Sequence, residues 1–279
     1  MYKLGLIGYP LGHSISAEIQ KAGLKYLGIE GSYDVLETHP EDLIDRIKFL
    51  KRNDYNGFNV TIPLKTPMSL FLDDIDDCAN IIGCVNTVKI LPDKSFYGYN
   101  TDIYGFKMAI PKEIDLKGKT ACVLGTGGAA RAAVAGLSDL GVTKIKMYTR
   151  NIINSTQAVN YLRAKFKNVE FNVFQIQNVG DISDASILIN ATPIGMRGYS
   201  MDEMPVNMSD IEKLKKDAVV YDIIYNPLKT RLIKTAEHYG LRTISGLDML
   251  IFQAQKAIEI WTGKLPDANV MKISALQAL

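Results

Sequence analysis

Val123-Leu124-Gly125-Thr126-Gly127-Gly128-Ala129-Ala130-Arg131 decides the fold. It ends a strand-like run from Thr120 to Leu124 and opens a helix-like run with apolar residues at Ala130, Ala133, Val134, Leu137 and Leu140. In a strand–turn–helix unit of this kind Gly125 permits the tight turn, and Gly127 lets the backbone approach a pyrophosphate at the helix N-terminus. Ala130 is small enough for the helix to pack on the strand, and Gly141 stands where a C-cap glycine closes it. The functional reading is a dinucleotide site; the bland alternative is a structural tight turn. Because the motif lies past residue 120, a segment of domain size precedes it, and that segment should hold the substrate.

Strand and helix patterns alternate beyond the turn. Strands are predicted at Lys144 to Tyr148, Glu170 to Phe174, Ile187 to Asn190, Ala218 to Asp222 and Arg242 to Ile244, with helices at Thr156 to Phe166 and Thr230 to Tyr239. With the strand before the glycines this gives a doubly wound parallel sheet of Rossmann type. The first hundred residues alternate too: Lys3 to Gly8, a helix from Ala17 to Leu27, Ser32 to Leu36, a helix from Pro40 to Leu50, then Gly57 to Ile62. They read as a second α/β core. A long amphipathic helix, Met249 to Trp261, follows the last strand and can return to that first core. The expected division is 1–103 plus 247–279 for substrate and 104–246 for the nucleotide.

Composition excludes several functions. The net charge of +2 gives no reason to invoke nucleic acid or an anionic membrane, and no apolar stretch approaches the ~18 residues of a membrane span. Met1-Tyr2-Lys3 runs into a strand rather than a signal peptide. Cys78, Cys84 and Cys122 lack metal-site or CxxC spacing and sit among apolar residues, so buried, reduced thiols in a cytoplasmic protein, and no metal, are expected.

Asn59-Val60-Thr61-Ile62-Pro63-Leu64-Lys65 is the next cluster. On a strand Asn59 and Thr61 share one face about 7 Å apart. Lys65 then projects from the strand's C-terminal end, where ligands of open α/β sheets collect. A surface lysine after an edge strand is an equal reading. Asp102, in Tyr99-Asn100-Thr101-Asp102, is either the N-cap of a helix from Ile103 to Ile110 or a partner of Lys65 that biases its protonation. Asn86 is a satisfied core amide or a reader of hydroxyls. Ser16 reads as the N-cap of the first helix, and Ser14 with Ser16 flanks the positive end of its dipole, which suits a carboxylate. His13 is read as structural, and His39 and His238 carry no signal. About 20 residues past the glycines an NAD site wants an acid; here stand Thr149-Arg150-Asn151. Arg150 can bind a 2′-phosphate with a bidentate fork, so NADP is the expected cofactor.

Together these clusters resemble the shikimate dehydrogenase family, over Gly8 to Gln255. The matching motifs are Gly-His-Ser-x-Ser (12–16), Asn-Val-Thr-Ile-Pro-Leu-Lys (59–65), Val-Asn-Thr (85–87) and Asn-Thr-Asp (100–102). They continue with Gly-x-Gly-Gly-Ala (125–129), Ile-Asn-Ala-Thr (189–192), Tyr-Asp-x-x-Tyr-Asn-Pro (221–227) and Gly-Leu-x-Met-Leu-x-x-Gln-Ala (246–254). The resemblance implies an NADP-dependent oxidoreductase that reduces 3-dehydroshikimate to shikimate in aromatic biosynthesis, as a monomer or homodimer. It implies that Ser14, Ser16 and Tyr225 hold the substrate carboxylate, and that Thr61, Asn86, Asp102 and Gln253 bind ring hydroxyls. Lys65 would exchange the proton, held by Asp102. Nucleotide contacts would fall on Asp77, Gly125, Thr126, Gly127, Gly128, Ala129, Thr149, Arg150, Thr192, Ile223 and Gly246. Two positions depart from the family's pattern: Ala17 replaces its proline and Thr149 its asparagine. The rival readings are an NAD-using quinate/shikimate dehydrogenase and an inactive ligand sensor of the same fold.

Overall fold

The computed structural model describes residues 1–12, 14–179 and 182–279, so His13 lies outside the described residues. The chain forms two compact units, Met1–Gly105 with Ile251–Leu279, and Phe106–Leu250.

The first unit holds β1 (Tyr2–Gly8), α1 (Ser16–Tyr26), β2 (Gly31–Glu37), α2 (Leu43–Arg52) and β3 (Gly57–Val60). It continues through β4 (Asp74–Ile75), α3 (Asp77–Ile82), β5 (Thr87–Ile90) and β6 (Phe96–Tyr99) to the start of α4 (Asp102–Ala109). The sheet order is β2-β1-β3-β5-β6-β4; β1 runs parallel to β2 and β3, and β5 antiparallel to β3 and β6. Ile7, Leu50, Phe58, Val60, Leu64, Met68, Val88 and Phe96 fill one core, where Phe58 and Phe96 meet edge to face at 5.5 Å. The strand read to Ile62 ends at Val60, and Ile62 is exposed. Pairing with β1 nonetheless carries on, Thr61 N donating to Ile7 O and Tyr9 N to Ile62 O.

The second unit holds β7 (Thr120–Leu124), α5 (Gly128–Asp139), β8 (Lys144–Thr149), α6 (Ile152–Lys165), β9 (Glu170–Gln175), β10 (Ile187–Asn190), α7 (Met208–Glu212), β11 (Val219–Asp222), α8 (Arg231–His238) and β12 (Arg242–Ser245). All neighbours pair in parallel, in the order β12-β11-β10-β7-β8-β9. This is the doubly wound arrangement expected from the sequence, and its order reverses between β7 and β10, where such sheets bind ligands. Helix α6 starts four residues before Thr156. The Thr156 hydroxyl donates back to Ile152 O instead of capping, so it sits one turn inside the helix. Gly141 (φ 82°) and Gly240 (φ 74°) close α5 and α8 in the left-handed region.

The long helix after β12 is α9 (Gly246–Thr262), and α10 (Ala268–Ala278) follows. Residues from Ile251 onward belong to the first unit. There α10 packs on α1, and Trp261 Nε1 donates to Val88 O at 2.9 Å. A Cβ on Gly57 would stand 2.2 Å from Trp261 Nε1, so that strand position admits no side chain. No helix among the described residues is long and apolar enough to cross a membrane.

Candidate functional site

Lys65 leaves the turn after β3, its carbonyl accepting from Val85 N at 3.0 Å. Its Nζ lies 2.5 Å from Asp102 Oδ2, with the two side chains 16% and 8% exposed. Burial alone would depress the ammonium, but the charge of Asp102, with Cys84 and the Asp102 hydrogen bond, outweighs it and holds the Lys65 pKa above its ordinary value. Lys65 is therefore a cation at neutral pH.

Asp102 does not cap α4. It is the first residue of the helix, and Asn100 does the capping: its Oδ1 accepts from Asp102 N at 3.0 Å and Ile103 N at 3.3 Å. The Asn100 amide also donates to Cys84 O, tying the helix start to the chain beside Lys65. The Asp102 carboxylate, relieved of the capping role, faces Lys65 on one oxygen and takes Asn86 Nδ2 on the other at 2.8 Å.

Asn86 is buried and fully engaged. Its Oδ1 accepts from Thr101 N at 2.8 Å and Thr87 Oγ1 at 3.0 Å; its Nδ2 also donates to Thr101 Oγ1 at 3.0 Å. Of the two readings open for Asn86 the geometry shows the satisfied core amide, with one amide hydrogen aimed at Asp102. Gln253 joins through α9, its Oε1 3.4 Å from Thr101 Oγ1. Behind them Asn59, expected only to share a face with Thr61, donates to Thr87 Oγ1 at 2.9 Å and accepts from Tyr33 OH at 2.7 Å and Gln20 Nε2 at 3.2 Å. Sequence reasoning missed Thr87 as a site residue. Its signals are a threonine at a strand start, which β-propensity alone explains, and the last place in the Val-Asn-Thr motif, where the amide beside it draws the functional reading.

At α1 the N-cap position belongs to Ile15, not Ser16, and no side chain caps it. Ser16 opens the helix; its N–H and hydroxyl meet Ser14 Oγ at 3.3 and 3.1 Å. Two hydroxyls therefore sit together at an uncapped helix start, an arrangement suited to an anion. Thr61 N stays on the sheet, paired with Ile7. Asp77 is exposed at the start of α3, where its neighbour Asp76 provides the cap by accepting from Ala79 N. Cys78 beside it is exposed too, because this short helix buries Ala79 and Ile82 instead, so the burial expected of all three cysteines holds only for Cys84 and Cys122.

In the second unit Gly125 has φ 109°, and a Cβ there would meet Ala191 O at 2.9 Å. Gly127 stands before α5, where nothing lies within 4 Å of an added Cβ. No side chain caps α5 and no acid stands in its first turn, so Gly128 and Ala129 begin an open, positive helix end. Thr126 and Thr149 meet at the Ser155 hydroxyl, 3.1 and 2.7 Å away, joining the glycine loop to the end of β8. Thr149, the departure from the family's asparagine, thus spends its hydroxyl on internal bonding, and Arg150 beside it is exposed. Across the sheet, buried Asp222 accepts from Thr230 Oγ1 (2.6 Å), Asn190 Nδ2 (3.1 Å) and Ile224 N (3.1 Å). Burial still pushes its pKa up to about 6. Asn190 Oδ1 in turn accepts from both Thr192 N and its hydroxyl. A Cβ on Gly246 would lie 1.8 Å from Ile223 O, so glycine there lets α9 begin against that loop. Tyr225 follows, its hydroxyl pKa raised by burial. The glycine loop, the uncapped α5, Arg150 and the loops after β10 and β11 fit a phosphorylated dinucleotide.

Comparison with known proteins agrees. The model of the shikimate dehydrogenase substrate binding domain matches residues 6–88, and that of the shikimate 5'-dehydrogenase C-terminal domain matches residues 246–272. The NADP(+) shikimate dehydrogenase of Archaeoglobus fulgidus is 39% identical over 279 residues, covering 100% of this chain and 99% of that protein. A crystal structure of a shikimate dehydrogenase in complex with NADP+ superposes with a TM-score of 0.90 at 38% identity, covering 99% of this chain and 95% of that one. That of the Thermus thermophilus enzyme in complex with NADP(H) and shikimate gives 0.85 at 33% identity, covering 100% of both chains.

Proposed function

Because this chain belongs to the shikimate dehydrogenase family, we propose that Lys65 and Asp102 carry the proton step of its reaction. The enzyme is an NADP-dependent oxidoreductase acting on a CH–OH group, interconverting 3-dehydroshikimate and shikimate in the route to aromatic amino acids. The ion pair of Lys65 and Asp102, buried and braced by Asn86, is the observation that carries the assignment.

Bound NADPH supplies the hydride, and this chain's residues do the rest. Protonated Lys65 gives a proton to the ketone oxygen; in the reverse direction neutral Lys65 takes it from the hydroxyl. Asp102 fixes the Nζ with one oxygen, while Asn86 on the other keeps the carboxylate from turning away. Ser14 and Ser16 hold the substrate carboxylate, and Thr61, Asn86, Asp102 and Gln253 take the ring hydroxyls. Residues 125–129 and Arg150 would hold the nucleotide phosphates, with Thr149, Thr192, Ile223 and Gly246 completing the cofactor contacts. We place the reaction in the cytoplasm, with the enzyme a monomer or homodimer.

The test is absorbance of reduced nicotinamide with purified protein, offering NADP or NAD with shikimate, with quinate and with no substrate. NADP reduction that requires shikimate is expected. Reduction of NAD at equal efficiency, or preference for quinate, refutes the specificity.

A further inference from the structure

Lys65, Asp102, Asn86 and Gln253 are substrate-side groups in the proposed function, and the role inferred for their neighbour Thr87 rests on that assignment. Thr87 lies behind them, wholly buried at the first position of β5, cross-strand from Asn59 on β3. Counting hydrogens fixes the direction of its bond with Asn59 and leaves its own hydrogen two acceptors. Both Asn59 amide hydrogens are committed, to Asn86 O at 3.2 Å and to Thr87 Oγ1 at 2.9 Å, so Thr87 is an acceptor there. Its own single hydrogen has Asn86 Oδ1 at 3.0 Å or Thr101 Oγ1 at 3.2 Å. Asn86 Oδ1 already takes Thr101 N, leaving one lone pair.

Two hydroxyls compete for that lone pair: Thr87 at 3.0 Å and Thr101 at 3.2 Å. Thr101 Oγ1 accepts from Asn86 Nδ2, and its alternative acceptor is Gln253 Oε1 at 3.4 Å. If Thr87 fills the Asn86 lone pair, the Thr101 hydroxyl is turned to Gln253. If Thr87 is silent, Thr101 falls back on Asn86 and Gln253 loses that bond. Thr87 is the nearer of the two hydroxyls to that lone pair, 3.0 Å against 3.2 Å, which favours the first arrangement.

We infer that Thr87, which touches no reacting group, is a positioning residue that acts through the Thr101 hydroxyl to orient the Gln253 amide for substrate. Its contribution is to binding of the hydroxylated ring and not to the proton step.

Thr87→Val keeps the shape and removes the hydroxyl. It should raise the Michaelis constant for shikimate roughly three- to tenfold, the worth of one hydrogen bond, with turnover and the constant for NADP within about twofold of the parent. Thr87→Ser should restore the parent values. The deciding measurement combines Thr87→Val with Gln253→Ala: the double variant should be no weaker for shikimate than Gln253→Ala alone, because the path from Thr87 ends there. Losses that multiply, or a Thr87→Val effect on turnover alone, overturn the inference. Should the valine variant fail to fold, Thr87→Cys, which weakens the donor and keeps the bulk, is measured in the same two backgrounds against the same criteria. Absence of shikimate-dependent NADP reduction by the unaltered enzyme would remove the underlying function as well. An active enzyme with multiplying losses removes this inference alone.

Discussion

Gly127→Ala separates the two readings of the glycine turn cleanly. Gly127 has φ −73° and ψ −173°, which alanine adopts without strain, and no heavy atom lies within 4 Å of the Cβ it would acquire. The folded protein therefore makes room for the methyl at no steric cost. Two small effects remain: alanine stiffens the unfolded chain, favouring the fold by about 0.4–1 kcal/mol, and it is a poorer N-cap than glycine, which opposes by a similar amount. Net stability should change by less than about 1 kcal/mol. Binding is another matter. The methyl fills the space in front of the α5 N-terminus and keeps a pyrophosphate off the backbone N–H groups. Losing one charge-assisted hydrogen bond costs about 1.5–3 kcal/mol, so NADP affinity should fall roughly 10- to 100-fold. Urea denaturation gives the first quantity and titration calorimetry with NADP the second. Gly125→Ala serves as the contrast: at φ 109°, with Ala191 O at 2.9 Å, it should destabilise the fold by about 1–3 kcal/mol. If Gly127→Ala binds NADP as tightly as the parent, the phosphates lie elsewhere and the turn is structural.

Other consequences can be checked in parallel. Lys65→Ala should lower turnover at least about 100-fold, the minimum for one positioned acid–base group; with Asp102→Asn added the loss should hardly grow, because the pair acts as a unit. Retention of a tenth of the parent turnover would make Lys65 a binding residue. Asp102→Asn alone removes the charge that raises the Lys65 pKa and leaves the burial that lowers it. The pH profile for shikimate oxidation, which needs neutral Lys65, should therefore move toward acid; an unmoved profile would break the link between the two groups. Arg150→Ala should weaken NADP by about 1.5–3 kcal/mol and NAD hardly at all, and equal losses in calorimetry would dismiss the 2′-phosphate role. Asp222 titrates near 6 when folded and near its ordinary 3.8 when unfolded. The native state thus binds the extra proton, and this group's contribution to stability is lost as pH rises from about 4 to 6, by up to about 3 kcal/mol. Chemical denaturation at pH 4.5 and 7 should show that loss in the parent relative to Asp222→Asn; parallel curves would contradict it.

Much of this molecule is legible in its sequence, and the failures have a common cause. Buried parallel strands announce themselves as short apolar runs, so Thr120–Leu124 and Ile187–Asn190 are read to the residue. Helix starts are not, because a cap depends on which side chain reaches which N–H. Ser16 and Asp102 have the right composition for caps, yet Ile15 occupies one capping position and Asn100 makes the other cap's bonds. Lys65 and Asp102 can be linked as complementary charges before any geometry is known. Thr87 and Asn59 cannot: their meaning comes from facing each other across β3 and β5, a pairing that spans 28 positions of chain.

The first unit is written in two pieces, with the whole of Phe106–Leu250 between them. On the ribosome this imposes an order of events. At about 5–20 residues per second, synthesis of the intervening unit takes on the order of ten seconds. For that interval the sheet from β1 to β6 exists without Trp261 against Gly57 and Val88, without α10 on α1 and without Gln253. The other unit, continuous in sequence, is complete first. Under the proposed assignment of sites, the pocket for the small acid is finished only as α9 and α10 emerge, so a nascent chain acquires its grip on the cofactor before it has any means of using it.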